Sequence, residues 1–304
     1  MKIAIFYYSQ SGQALQAAQN LCAPLQQAGG HHEVVFKEIK PVEQYPFPWK
    51  RHDFFDTFPE TRLGLPPSGI QPIDLHDVEN TDMVIIAAQP WFLSPSLPLQ
   101  SFLADKIIRQ YLNGRHVVFL NVCRNMWLMA FRSVKIALQD CGAKLIGHIV
   151  LQDEAPNLIS ALTIVRWLLH GKKTATWLLP AAGVSEKDLQ NASRFGIIIQ
   201  QTYSANKLHQ LQQRLLAAGA IHYKPSILHL EKIGHRMFGL WARFIRRKGG
   251  FHNPQRKTRV TAFFYYLLIV LFFLSPFAVA FFYITYPFRS VAQQRIKDCS
   301  VEIQ

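Results

Sequence analysis

Ile3-Ala4-Ile5-Phe6-Tyr7-Tyr8-Ser9-Gln10-Ser11-Gly12-Gln13-Ala14 is the stretch whose reading decides the fold. Its first half is a continuous apolar run, the pattern of a strand buried on both faces, and it breaks at once into a polar turn. Leu15, Ala18, Leu21, Cys22 and Leu25 then recur at helical spacing until Gly29-Gly30 stops them. A strand, a tight turn and a helix start gather backbone N–H groups at the positive end of the helix dipole. Two hydroxyls, and a glycine that lets the backbone approach closely, suit such a turn to a phosphate monoester. It lacks the Lys of a Walker loop and the three glycines of a dinucleotide fingerprint. Taken alone, the hexapeptide 9–14 fits an ordinary strand-to-helix turn equally well.

Outward from this stretch, the spacing predicts further strands over His32–Ile39, Asp82–Ala88, His116–Val122 and Lys144–Leu151, with helical patterns between them. Five strands alternating with helices, phosphate turn first, describe an α/β doubly wound parallel sheet with right-handed crossovers. Residues 40–76 interrupt the alternation with seven prolines and the aromatics Tyr45, Phe47, Trp49, Phe54, Phe55 and Phe58. The segment is too long for a bare connection and too aromatic for disorder, so it is expected to fold over the domain and to cover a ligand.

Ligands of doubly wound sheets sit at the carboxyl ends of the strands. Three such loops converge here: Ser9, Gln10, Ser11, Gly12, Gln13 and Ala14 after the first strand, Pro90, Trp91, Phe92 and Leu93 after the third, and Cys123, Arg124, Asn125, Met126 and Trp127 after the fourth. The first offers hydroxyls and N–H groups, while Trp91, Phe92, Met126 and Trp127 offer flat or polarisable groups for an aromatic ring. A phosphate site beside an aromatic clamp predicts FMN. Each aromatic by itself reads equally as packing, and the prediction rests on their joint placement.

The turn resembles the phosphate loop of flavodoxins and flavodoxin-like oxidoreductases, a Ser/Thr-x-Ser/Thr-Gly-x-Ser/Thr pattern that holds the FMN phosphate. Ser9, Ser11 and Gly12 match it, and Ala14 replaces the last hydroxyl. Pro90-Trp91 with Pro95-x-x-Pro98-x-x-x-Phe102-Leu103 resembles the segment after strand three in flavodoxin-like NAD(P)H and quinone oxidoreductases. The runs 123–127, Ala155-Pro156-Asn157-Leu158-Ile159 and Arg166-Trp167-x-x-x-Gly171-Lys172-Lys173 are similar to the dialkylresorcinol condensing enzymes, flavodoxin-like proteins of bacterial dialkylresorcinol and aryl-polyene clusters. That resemblance covers residues 1–200 and less of the rest. It implies an aromatase that oxidises a cyclised diketone to a resorcinol, beside a ketosynthase partner, and it places no catalytic residue.

Composition adds a membrane. Apolar residues make up 49% of the 304 and charged residues 17%, low for an ordinary soluble protein. The formal charge of +14 is local: residues 204–259 carry 12 Lys/Arg against one acidic residue. Leu208, Leu211, Leu215 and Leu216 form one helical stripe there, and Phe238, Leu240, Trp241, Phe244 and Ile245 another, ringed by Arg236, Arg243, Arg246, Arg247 and Lys248. Basic amphipathic helices of this kind lie at membrane interfaces, although charge runs are commonly just solvated faces. Val260–Tyr286 then gives 27 residues without a charge, enough to span a bilayer. Tyr265, Tyr266, Tyr283 and Tyr286 lie towards its ends, with Arg256, Lys257 and Arg259 before it and Arg289, Arg295 and Lys297 after it. Pro276 is expected either to kink the span or to turn a re-entrant hairpin that returns Cys299 to the near face. The expected layout is a flavin domain over 1–151, a helical extension over 152–203, a basic region over 204–259, the apolar segment over 260–286 and a tail over 287–304.

The expected function is a flavin-dependent oxidoreductase on the cytoplasmic face of the inner membrane, single-pass or monotopic, acting as aromatase on a lipophilic cyclic diketone. An NAD(P)H-dependent quinone reductase and a flavin-free membrane scaffold for a ketosynthase are the alternatives. Arg124 is a candidate to stabilise negative charge beside the ring, and Tyr7, Tyr8, His52 and Asp53 are candidate bases by position alone. Cys22, Cys123, Cys141 and Cys299 show no CxxC or metal spacing and fit a reducing compartment, and the chain opens without a signal peptide. His31-His32 has no spaced partner, so no metal is expected, and no motif for reading nucleic acid accompanies the basic stretch.

Overall fold

A computed structural model of the chain describes residues 1–27, 32–222 and 224–285. Gly29-Gly30, His31, Tyr286, Arg289, Arg295, Lys297, Cys299 and the expected tail lie outside the described residues. In chain order the elements are β1 (Lys2–Tyr7), α1 (Gln13–Gln27), β2 (Glu33–Glu38), α2 (Arg51–Asp56), α3 (Phe58–Leu63), β3 (Met83–Ala88), β4 (Pro90–Trp91), β5 (Ser94–Pro95), α4 (Leu97–Ala104), α5 (Lys106–Leu112), β6 (His116–Cys123), α6 (Leu128–Asp140) and β7 (Lys144–Gln152). The helices α7 (Asn157–His170), α8 (Glu186–Asn191), α9 (Ser193–Ser204), α10 (Leu211–Ala217), α11 (Pro225–Arg246), α12 (Lys257–Ile269) and α13 (Ser275–Thr285) follow.

The main sheet is parallel with order β2-β1-β3-β6-β7. Counting only its five strands, this is the order 2-1-3-4-5 of the flavodoxin-like fold, with its switch point between β1 and β3. Successive side chains alternate faces. Ala4, Phe6, Val84, Ile86 and Phe119 enter one core, and Ile3, Ile5, Met83, Ile85 and Leu120 the other. Two covered faces explain the unbroken apolar runs.

Helices α4, α5 and α6 cover the first face, whereas α1 shares the second with α8, α9 and α10. Helix α9 lies so close to α1 that a side chain at Gly196 would put its Cβ 1.9 Å from the Leu21 carbonyl oxygen. Leu211 and Leu215 are fully buried in this layer. The first leucine stripe of the basic region therefore packs on the sheet and not on lipid, and residues 186–217 complete the fold's second layer. The aromatic insertion does fold over the domain: Tyr45, Phe47 and Trp49 join the first core, and Phe55 and Phe58 join a third core with α11 and α12.

The apolar segment forms one helix from Pro254 to Thr285. A single π turn at Val270–Leu274 precedes Pro276. Proline lacks an N–H and clashes with the carbonyl four residues back, and the wider turn absorbs both defects. The helix runs on past Pro276, so the hairpin does not form there. Arg256 is a second correction. It is no interfacial cation, being fully buried against Asp56 and Glu60.

Candidate functional site

The turn after β1 supplies one end of the site. Ser9 Oγ accepts the Leu15 N–H at 3.1 Å, and the first helical bond runs from Gln16 N to the Gly12 carbonyl at 3.0 Å. The N–H groups of Gln13 and Ala14 precede that bond at the positive helix end. The Gln13 side chain is clasped to a distant loop: Nε2 donates to the Val184 carbonyl at 2.7 Å, and Oε1 accepts the Val184 N–H at 3.2 Å. Beside the clasp, Gly183 has φ +82°, and a Cβ there would lie 2.3 Å from Gln13 Oε1 and 2.8 Å from the Trp167 ring. Only glycine fits that wall.

Gln10, Ser11, Gln13 and Ala14 line one end of a cavity of about 630 Å³. Pro90, Trp91, Phe92 and Leu93 line it too, on a hairpin whose central residues Phe92 and Leu93 have φ 46° and 62°. Two adjacent non-glycine residues in this region are strained, and the strain persists only where neighbours fix it. Here they do. Trp91 lies edge-on to Tyr8, Tyr45 and Trp49 with centroids 5.3–6.0 Å away, while Phe92 packs on Phe54 at 4.8 Å and Phe58 at 5.2 Å.

Cys123, Arg124 and Met126 bring the loop after β6 to the same cavity. The Arg124 guanidinium donates from Nη1 to the Asn157 carbonyl and to its Oδ1, both at 3.0 Å, and Asn125 Nδ2 donates to the same Oδ1. Burial lowers the Arg124 pKa to about 10 against the opposing pull of Asp153, so the side chain stays cationic at neutral pH. It is the only charged side chain lining the cavity among the described residues. Burial pushes the Cys123 thiol well above its ordinary range, which leaves it protonated and a poor nucleophile.

Four predicted residues stand apart from the cavity wall. Ser9 caps α1, Gly12 closes its first turn, Asn125 braces Asn157, and Trp127 is in the core, 5.3 Å from the His148 ring. Trp127 precedes α6 and turns inward, so it forms no part of the clamp. None of Tyr7, Tyr8, His52 and Asp53 lines the cavity. The expected lid does: Phe54 and Phe55 reach it.

The remaining wall was not anticipated. Ile164, Trp167 and Leu168 of α7, Leu230, Ile233 and Met237 of α11, and Leu267, Leu271, Leu274 and Ala278 of the apolar helix complete it. Asn157 and Trp167 had marked themselves through the resemblance alone. The share of the apolar helix in this wall has no sequence signal, because hydropathy does not say which stripe of a uniformly apolar helix meets protein. Cys22, Cys123 and Cys141 are free thiols, and no metal-binding cluster occurs among the described residues.

No known protein family matches the chain, and no curated protein matches it. Among solved structures, a flavoprotein in complex with FMN from Lactobacillus acidophilus NCFM is 20% identical, covering 49% of this chain and 92% of its own, at a TM-score of 0.40. A flavodoxin from the domain Archaea is 13% identical over 67% of this chain and 99% of its own, at 0.38. Oxidised flavodoxin 1 from Bacillus cereus is 14% identical over 65% of this chain and 95% of its own, at 0.34. The fold assignment rests on the strand order.

Proposed function

We propose that the protein is a membrane-associated, FMN-dependent oxidoreductase that aromatises a lipophilic cyclic diketone. The supporting observation is that one cavity joins a helix start, an aromatic hairpin and an arginine to an apolar wall made by the long apolar helix. Gln10, Ser11 and the N–H groups of Gln13 and Ala14 would hold the phosphate, and Gly183 leaves room beside them. Trp91 and Phe92, fixed by their ring neighbours, would border the flavin ring. FMN, when bound, supplies the acceptor for the two electrons and two protons that a cyclohexanedione loses on becoming a resorcinol, and dissolved oxygen can regenerate it.

Arg124 holds a fixed cation where a ring oxygen would gain negative charge. A 1,3-dione ionises readily, so an arginine that stabilises the enolate meets the chemical need in a cavity wall that holds no carboxylate or histidine among the described residues. The hydrophobic wall excludes water and receives alkyl substituents.

The test uses the full chain in lipid nanodiscs. FMN is titrated by its visible absorbance, and a dialkyl-cyclohexane-1,3-dione is then supplied in air. Flavin uptake with resorcinol formation is expected. Uptake followed only by quinone-dependent NAD(P)H consumption would assign a quinone reductase instead, and a chain that takes up no FMN would overturn both.

A further inference from the structure

The apolar helix is fastened to the body at both ends. Near its start Phe263 stacks on Phe58 with centroids 3.7 Å apart, and Tyr266 lies 5.0 Å from Trp241 of α11. Near its end Phe282 lies 5.4 Å from His229, and the Tyr283 hydroxyl is 3.4 Å from Ser226 Oγ, both again on α11. Phe263 and Phe282 are separated by about 28 Å of helix at 1.5 Å per residue, close to the full thickness of a hydrocarbon core. Helix α11 carries Lys232, Arg236, Arg243 and Arg246. A crossing helix would drag α11 and these charges through the bilayer, where charge is strongly disfavoured.

We propose that the apolar helix does not cross the membrane but lies along one leaflet, and that the cavity opens into that leaflet to admit an alkyl chain. The helix has the two faces this requires. Phe273, Phe277, Phe281 and Ile284 form an outward stripe, 57–74% exposed, while Leu267, Leu271 and Ala278 line the cavity. Val165 of α7, Ile233 and Met237 of α11 and Leu274 of the apolar helix both line the cavity and stand 37–54% exposed, so its mouth is rimmed with apolar side chains. Such a rim faces lipid, and the exposed cations Arg236, Arg243, Arg247 and Lys248 of α11 and its end meet anionic headgroups beside it. The position of the helix is independent of the flavin reading; the alkyl occupant rests on it.

Topology is tested by labelling with a membrane-impermeant maleimide in spheroplasts and in inverted vesicles. Thr285→Cys reports the far end of the helix and Thr261→Cys the near end, each in a background with Cys141→Ser and Cys299→Ser. Both are expected to react from the same side, and labelling from opposite sides overturns the in-plane helix. Green fluorescent protein fused after Gln304 gives a second readout that needs no substitution: bright cells are expected, and dark cells overturn it. The mouth is tested by calorimetry with 5-pentylresorcinol and 5-methylresorcinol on the flavin-free full chain. Each buried methylene should tighten binding about fourfold. Ile233→Trp, or Leu274→Trp where the first variant misfolds, should drive the ratio of the two affinities towards one. Equal affinities in the unmodified chain, as when a phospholipid tail fills the mouth, or a ratio untouched by both variants overturn the alkyl entry. Retained discrimination without FMN uptake would sink the flavin reading alone.

Discussion

Arg256 Nε lies 2.6 Å from Asp56 Oδ1, and this buried contact ties the first turn of the apolar helix to the aromatic insertion. The same guanidinium donates to both oxygens of Glu60, at 2.7 and 2.9 Å, and to the Asp56 carbonyl. One cation thus fixes two carboxylates that are themselves almost fully buried. The aromatic insertion and the apolar helix are thereby joined into one wall.

Removing that cation leaves two buried charges without their main partner. Arg256→Met is expected to destabilise the chain by about 3–5 kcal/mol, softened at Glu60 by Arg246, whose Nη1 lies 3.3 Å away. Denaturant titration of the full chain in detergent measures this. The triple replacement Arg256→Met with Asp56→Leu and Glu60→Leu should recover most of the loss.

At Gly183 the chain cannot accept a side chain without opening the Gln13–Val184 clasp. Gly183→Ala should cost about 1–3 kcal/mol through the positive φ and the overlap. It should also weaken FMN uptake about tenfold by shifting the start of α1. A thermal melt and a flavin titration on the same sample separate the two effects. A stability loss with unchanged uptake would show that the clasp does not position the phosphate turn.

For Arg124, charge and shape make different demands. Arg124→Met should lower kcat about 10²-fold or more, with a smaller change in KM, because the cation acts on charge that develops during reaction. Arg124→Lys keeps the charge but loses the fork that grips the Asn157 carbonyl and Oδ1, so it should recover only part of kcat.

Two buried groups give opposite pH slopes. Glu231 Oε1 accepts the Met129 N–H at 2.7 Å, and burial raises its pKa from 4.5 to about 7. Between those values the unfolded chain has released a proton that the fold retains, so stability falls as pH rises. Burial lowers the His148 pKa from 6.5 to about 3, so between those values the unfolded chain binds a proton that the fold refuses, and stability falls as pH drops. Of these two, Glu231 alone acts above pH 6.5 and His148 alone below pH 4.5, and His235, lowered by burial to about 4, adds to the His148 slope between pH 6.5 and 4. Glu231→Gln should flatten the neutral limb of denaturation midpoint against pH. His148→Phe should make the acid limb shallower, leaving the His235 share, while keeping the stack on Phe131, now at 3.7 Å and 3°.

The strands were legible because a buried parallel sheet needs continuous apolar runs. β1, β3, β6 and β7 appear within a residue or so of their expected bounds. The turns at 9–14, 90–93 and 123–126 were legible as a set because doubly wound topology brings strand ends together. Trp127 was misplaced because propensity and position do not say which way an indole turns: the start of α6 points it at His148 and the core. Arg256 was misread for a similar reason. Its partners Asp56 and Glu60 are some 200 residues away in sequence, and no local pattern links them.

By itself, then, the sequence determined the alternation of strand and helix, the polar turn after β1 and the presence of one long uncharged helix, since each is written in local periodicity and composition. Tertiary structure alone decided that the long helix turns one stripe onto the cavity and is held at both ends by α11. Hydropathy measures how much apolar surface a helix carries, whereas the partner for each face depends on contacts between residues far apart in the chain.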